Sequence, residues 1–326
     1  MIVGQDKAVD QFASAWATRK LHHAWLLGGP RGVGKASFAH AAARRVLAEA
    51  AGPTIDFAQL GTPDDHPIVR LVEAGSHPDM RWLERLPKEK GEGLTRDISV
   101  RQVRELGDFM SMTAALSSWR VAVIDSMDEL NKEATNALLK MLEEPPPNTL
   151  FFLVSHAPGR LLPTIRSRCR LLQFEPLGDD AMTSILKTQS PGLGDAERKR
   201  IVAMSFGSAG RALAFAELDL AKLEEAALAI LRQGDPTNAL RSKLATELGK
   251  KASADRYAAF LELAPSLIAR EARELRGVRL ERALDAYSKA RELAAVAPRV
   301  ALDPAATVFQ IGGILASVPE PASLKR

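Results

Sequence analysis

Three places along the 326-residue chain hold side chains that could handle phosphate. The first is Gly28-Gly29-Pro30-Arg31-Gly32-Val33-Gly34-Lys35. Gly29, Gly34 and Lys35 meet the spacing G-x-x-x-x-G-K, with Gly32 between them. Glycines let backbone N–H groups turn toward an anion, a following helix adds its dipole, and the lysine reaches the terminal phosphates. The next position, where a serine or threonine hydroxyl would hold magnesium, is Ala36. Ser37 comes one residue late, about 100° further round a helix of about 3.6 residues per turn. The second place is Asp125, an acid at the end of an apolar run that could hold a metal. The next residue is Ser126, whose hydroxyl is a poor base. Asp128 and Glu129 are expected to open the following helix, because the helix dipole favours acids there. The third place is the group Arg160, Arg166 and Arg168; a guanidinium is always charged and offers a fork of donors to phosphate oxygens. With two catalytic parts missing from one site, the expectation is a pocket that does not hydrolyse ATP. The glycines and Lys35 allow ATP or ADP to bind there, and the sequence leaves open whether either does.

The elements that must position these groups are legible as patterns. Ala24–Leu27 is a short apolar run that leads into the glycine loop, and the loop leads into a helix from Ala36 to Ala48. Val121–Ile124 and Leu150–Val154 are β-branched or aromatic, as strands buried on both faces are. Between them Leu130, Ala134, Leu138, Met141 and Leu142 recur at helical spacing, and Pro145-Pro146-Pro147 ends the helix. Strand, helix, strand is a βαβ unit with a right-handed crossover. Asp125 and Ser155 then stand at carboxyl ends of strands, the edge where open α/β sheets bind ligands. Ala8, Phe12, Ala15 and Trp16 mark an earlier helix. Gly52 to Gly93, rich in Gly, Pro, Asp and Glu, reads as a surface excursion with a strand near Met80–Leu83; His66 and His77 in it are not expected to bind metal. Ser99 and Gln102 form a capping box for a helix that turns Val103, Leu106 and Met110 inward. Arg101 and Arg104 lie outside that stripe, as solvated surface or as a contact for a neighbouring subunit or DNA.

From about Asp219 the chain is Ala, Leu, Arg and Glu at helical spacing, with breaks at Gly234-Asp235-Pro236 and Leu302-Asp303-Pro304. Leu280, Leu284 and Tyr287 are expected to line one helix face, and Val308–Leu315 to be buried. The hydrophobic fraction of 46% and charged fraction of 26% are those of a globular protein of two or three domains. No apolar run approaches a membrane span and no signal sequence opens the chain, so a cytoplasmic location is expected. One cysteine, Cys169, excludes an internal disulfide and a multi-cysteine zinc site. The formal charge of +4 permits contact with nucleic acid without arguing for it.

Asn136-Ala137-Leu138-Leu139-Lys140, Leu142-Glu143-Glu144-Pro145-Pro146 and Ser167-Arg168-Cys169 resemble the AAA+ clamp-loader family. The resemblance runs from about Val3 to Leu213 and fades to a general helical likeness beyond. It implies an α/β AAA+ module followed by an all-α domain: a parallel-sheet P-loop domain at 1–175, a helical lid at 176–218 and a helical collar for oligomerisation at 219–326. Val3-Gly4-Gln5 would border the adenine pocket, Ser155 would be a polar sensor and Arg211 a second sensor, structural if the pocket is defective. Arg168 would be a finger that acts in trans on the ATP of the next subunit. Many relatives carry four zinc-binding cysteines in the excursion; none is present, so no zinc is expected. The resemblance further implies a non-hydrolysing subunit of the clamp loader of the replicative DNA polymerase. Its partners would be the ATPase subunits and delta, and, through the complex, the sliding clamp and primer-template DNA. Two alternatives stand beside it: an ATPase motor subunit of the same machine, and a DNA-binding accessory protein.

Overall fold

The computed structural model describes residues 2–52, 55, 59–88, 93–218, 220–298 and 300–319. The chain forms two compact units, Met1–Ala181 with Gly207–Gly210, and Met182–Phe206 with Arg211–Arg326.

The first unit is built on five parallel strands: β1 (Ala24–Gly28), β2 (Met80–Leu83), β3 (Arg120–Asp125), β4 (Thr149–Ser155) and β5 (Arg170–Gln173), in the order β2-β3-β4-β1-β5. This is the parallel sheet that the sequence predicts for the P-loop domain. The register sets Leu26 against Leu153, Gly28 against Ser155 and Gln173, and Asp125 against Val154, so the strands end along one edge. Alternate residues of each strand face opposite ways. Trp25, Leu27, Val123 and Phe152 pack against α1 (Asp6–Ala17) and α2 (Lys35–Ala51), where Phe12 and Phe38 are fully buried. Leu26, Ile124, Phe151 and Leu153 pack against α4 (Val100–Ser111) and α5 (Lys132–Glu143) through Val103, Leu106, Leu138 and Leu142. Phe12 stacks edge-on to both Trp25 and Phe38, which locks α1 and α2 to the same sheet face.

Two sequence expectations change here. Asp128 and Glu129 do not open α5: they sit in a single 3-10 turn, and Asn131 caps the helix, its Oδ1 accepting the Ala134 N–H at 2.8 Å. His66 and His77 are buried, not on the surface. His66 caps a helix at Pro67–Glu73 (α3), and His77 Nδ1 accepts the Asp79 N–H at 3.0 Å. The Ser99–Gln102 capping box forms as expected. Among the described residues no helix is long and apolar enough to cross a membrane, and no group of three His, Cys, Asp or Glu could hold a metal.

The second unit is helical: most of α7 (Asp179–Gln189), α8 (Asp195–Ser205), most of α9 (Ala209–Glu217), α10 (Ala221–Gln233), α11 (Ala239–Leu248), α12 (Ala254–Ala272), α13 (Gly277–Val296) and α14 (Pro304–Ala316). Phe260, Leu263 and Leu267 of α12 and Val308, Ile311 and Leu315 of α14 form much of its core; the Val308–Leu315 stretch is buried on that face alone, and Phe309 is exposed. On α13 the expected stripe is not the buried one. Ala283, Ala286 and Ala290 are buried, and Leu284 is 54% exposed, because small residues let α13 approach α12 closely. Asp219, Arg299 and residues 320–326, which the expected third domain includes, lie outside the described residues.

Candidate functional site

The glycine loop leaves β1 at Gly28 and ends where α2 begins. Gly32 needs its residue type: φ is +76°, and a Cβ there would run into the Ser208 hydroxyl. Its carbonyl accepts the Gly210 N–H at 3.0 Å. Gly29 is equally constrained, since a Cβ would collide with the Phe174 carbonyl. Gln5 ties the loop to the end of the sheet, its Nε2 donating to the Val33 carbonyl at 3.1 Å and the Glu175 carbonyl at 2.8 Å. Gly34, left-handed at φ +100°, gives α2 no side-chain cap.

Lys35 is 3% exposed and folds back on its own loop, donating to the carbonyls of Gly29 (2.6 Å) and Pro30. Burial lowers its pKa to about 8 against the pull of Asp125 and Asp128, and Arg31 pushes the same way as burial. Asp125 is half-buried at the end of β3; burial, with Glu129 and Glu84 nearby, raises its carboxyl above the ordinary range, while Lys35 and Arg31 act the other way. Ser126 is buried, and its hydroxyl has no hydrogen-bond partner.

Ser155 is fully buried and donates to Asp128 Oδ1 at 3.0 Å, while its oxygen accepts the Ala157 N–H at 3.2 Å. The His156 N–H donates to Asp128 Oδ2 at 2.5 Å. Asp128 is therefore bound through both carboxylate oxygens to the end of β4. Burial lowers the His156 pKa to about 4; Lys35 and Arg31 add to that, and Asp128 opposes it. Sequence reasoning missed Asp128 and His156 as members of this site. Spacing carries no sign of a bond between residues 27 and 28 positions apart.

Arg168 lies elsewhere. It follows a one-turn helix, α6 (Pro163–Arg166), and precedes β5, so it stands beyond the amino end of that strand. Arg170 is level with Trp25, whereas the glycine loop starts past Gly28, level with Gln173. At about 3.3 Å per residue, the two levels are about 10 Å apart along the sheet. The Arg168 guanidinium is one-third exposed; Nη2 meets Glu143 Oε1 at 2.8 Å, and Nη1 donates to the Thr164 carbonyl at 2.9 Å. Arg160 and Arg166 are exposed. Cys169 is a thiol whose pKa burial pushes up to about 12. Arg211 belongs to the helical unit, where its guanidinium donates to Glu262 at 3.2 Å and Ser266 at 3.1 Å of α12.

The structure thus brings Gly29, Gly32, Gly34, Lys35, Asp125 and Ser155 to the carboxyl edge of one sheet, and puts Arg168 at the other edge. A family model described as DNA polymerase III, delta subunit, matches residues 4–178, more than half of the chain. The chain belongs to this family. Among curated relatives, DNA polymerase III subunit delta' of Pseudomonas aeruginosa is 41% identical over 147 residues, covering 45% of this chain and 41% of that protein. Subunit delta' of Escherichia coli is 31% identical over 216 residues, covering 64% and 59%. Subunit tau of Escherichia coli is 33% identical over 173 residues, covering 53% and 24%. The chain spans about half the length of the delta' relatives it matches. The family match takes in the glycine loop, Asp125, Ser155 and Arg168, and stops short of Arg211.

Proposed function

We propose that this chain is a clamp-loader subunit that does not hydrolyse ATP itself and lends Arg168 to an ATPase subunit beside it. One observation carries the proposal: Arg168 and the glycine loop stand at opposite edges of the sheet. A phosphate that Arg168 touches belongs to another molecule. The home site supports the same reading, because Ala36 has no oxygen for magnesium and Ser126 is no base. The partners in this reading are the ATPase subunits and delta, with the sliding clamp and primer-template DNA reached through the complex, in the cytoplasm. Residues 176–218 serve as a lid and 219–326 as a collar for assembly; Arg211, held by α12, is structural. The reading requires no zinc and no nucleotide turnover at the home site.

The test is ATP hydrolysis by the purified chain alone and in a complex with its ATPase partners. No turnover alone, with a complex slowed by Arg168→Ala and still assembled, is the expected result. A finger contributes about 10³-fold or more in some NTPases, and a ring with other fingers loses less. An unchanged rate in the Arg168→Ala complex refutes the assignment. The intact Lys35 and the similarity to tau favour one second reading, a motor subunit, which requires magnesium-dependent turnover by the chain alone.

A further inference from the structure

We propose that the glycine loop of this subunit takes a nucleoside polyphosphate without a divalent metal. The inference deepens, and rests on, the reading of the home site as non-hydrolysing. Phosphate and metal are normally bound together, the metal bridging the phosphate oxygens and held by the P-loop hydroxyl and the Walker-B acid, whose place Asp125 takes at the end of β3. Here the two requirements separate.

The phosphate side is intact. The first backbone bond of α2 is from the Phe38 N–H to the Gly34 carbonyl at 2.9 Å, so the amides of Lys35, Ala36 and Ser37 have no carbonyl a turn back. A Cβ on Gly34 would meet nothing within 4 Å, so the loop is open above that residue. Lys35 is almost fully buried, yet its ammonium group is satisfied only by carbonyls of its own loop. Phosphate oxygens are better partners for that charge than neutral carbonyls.

The metal side has lost its ligands. Ala36 offers no oxygen, and the Ser37 side chain is exposed on another side of α2. Both oxygens of Asp128 are engaged by Ser155 and His156. Asp125 remains, a single half-buried carboxylate with no hydroxyl at position 36 to complete a metal site. Affinity therefore falls to the amides and Lys35, which do not need the ion.

The experiment is calorimetric titration of the full chain with ADP, once in magnesium chloride and once in EDTA. The expected result is a Kd that agrees within about threefold between the two. Tightening by magnesium beyond that margin overturns the inference, and so does the absence of binding in both buffers. Lys35→Met should weaken ADP by about tenfold or more, the scale of a charge-assisted hydrogen bond. Retained affinity in that variant places the nucleotide elsewhere and also overturns the inference. Ala36→Thr, which restores a hydroxyl, should make ADP binding magnesium-dependent. None of these outcomes bears on Arg168, whose assay reads the other edge of the sheet.

Discussion

Asp79 is the residue whose replacement should do most to the frame that carries Asp125. It is fully buried at the start of β2. Its Oδ1 accepts the Ala115 N–H at 2.6 Å, and its Oδ2 accepts those of Leu116 at 2.7 Å and Ser117 at 2.8 Å. Its own carbonyl accepts the Val121 N–H at 2.9 Å, so one residue fixes both the approach to β3 and its pairing with β2. Burial alone would raise the carboxyl pKa; the three amides and His77 outweigh it and hold the group below the ordinary carboxylate range. Asp79→Asn keeps one acceptor and points an NH₂ at an amide donor. Each amide-to-carboxylate bond is worth about 1.5–3 kcal/mol, and three on one group do not add fully. A loss of about 3–4 kcal/mol is expected, a large part of the roughly 5–15 kcal/mol that domains have. The assay is urea unfolding followed by tryptophan fluorescence. All four tryptophans, Trp16, Trp25, Trp82 and Trp119, lie in the first unit, so the signal reports that unit. The sign with pH follows from the lowered pKa. The stabilisation is present above the ordinary carboxylate pKa of about 3.9 and is lost as pH falls through the folded value. The gap between wild type and variant should therefore close in strong acid. A loss under about 1 kcal/mol at neutral pH would refute the argument, because it would mean the three amides are satisfied without the charge.

Three further outcomes are expected. Glu143→Gln should free Arg168 from a half-exposed pair worth up to about 1 kcal/mol, which raises ATP turnover by the reconstituted complex by no more than about fivefold; steady-state hydrolysis assays check this. ADP affinity should fall as pH rises through about 8, because free Lys35 loses its proton there while bound phosphate favours the charged form; titration across pH 7 to pH 9, about one unit either side, reads it. Gly32→Ala should destabilise the first unit by about 1–2 kcal/mol or more, seen as a lower urea midpoint, since it combines a left-handed φ with the clash against Ser208.

What could be read in advance follows a physical line. Val121–Ile124 and Leu150–Val154 announce β3 and β4 because strands buried on both faces have no room for polar residues. Ser99 and Gln102 announce the start of α4 because a capping box is a bond between near neighbours. Asp128 could not be read in this way. Its sequence position suits a helix start, and its actual partners, Ser155 and His156, arrive only when β4 is laid beside β3. His77 has the same explanation: acids and prolines around it suggest surface, but Asp79 draws the segment inward to meet residues 115–117. On α13, hydrophobicity pointed to Leu280 and Leu284, whereas contact with α12 selected the alanines, because closeness of approach there outweighs side-chain volume.

A parallel sheet keeps the glycine loop and Arg168 apart. Every strand runs the same way, so loops that leave carboxyl ends gather at one edge and segments that enter strands gather at the other. The glycine loop, Asp125 and Ser155 are of the first kind, and Arg168, which precedes β5, is of the second. Glu143 joins it because α5 returns the chain to the entering edge before β4 begins. On the reading proposed above, Ala36 and Ser126 deprive the home site of a metal ligand and a base without touching the Glu143–Arg168 pair or the Thr164 carbonyl that orients it. With the loop and Arg168 separated by about the length of a strand, their energetics need not couple. The proposed reading needs that separation: a chain without hydrolysis of its own could then still present Arg168 to a neighbour's phosphates.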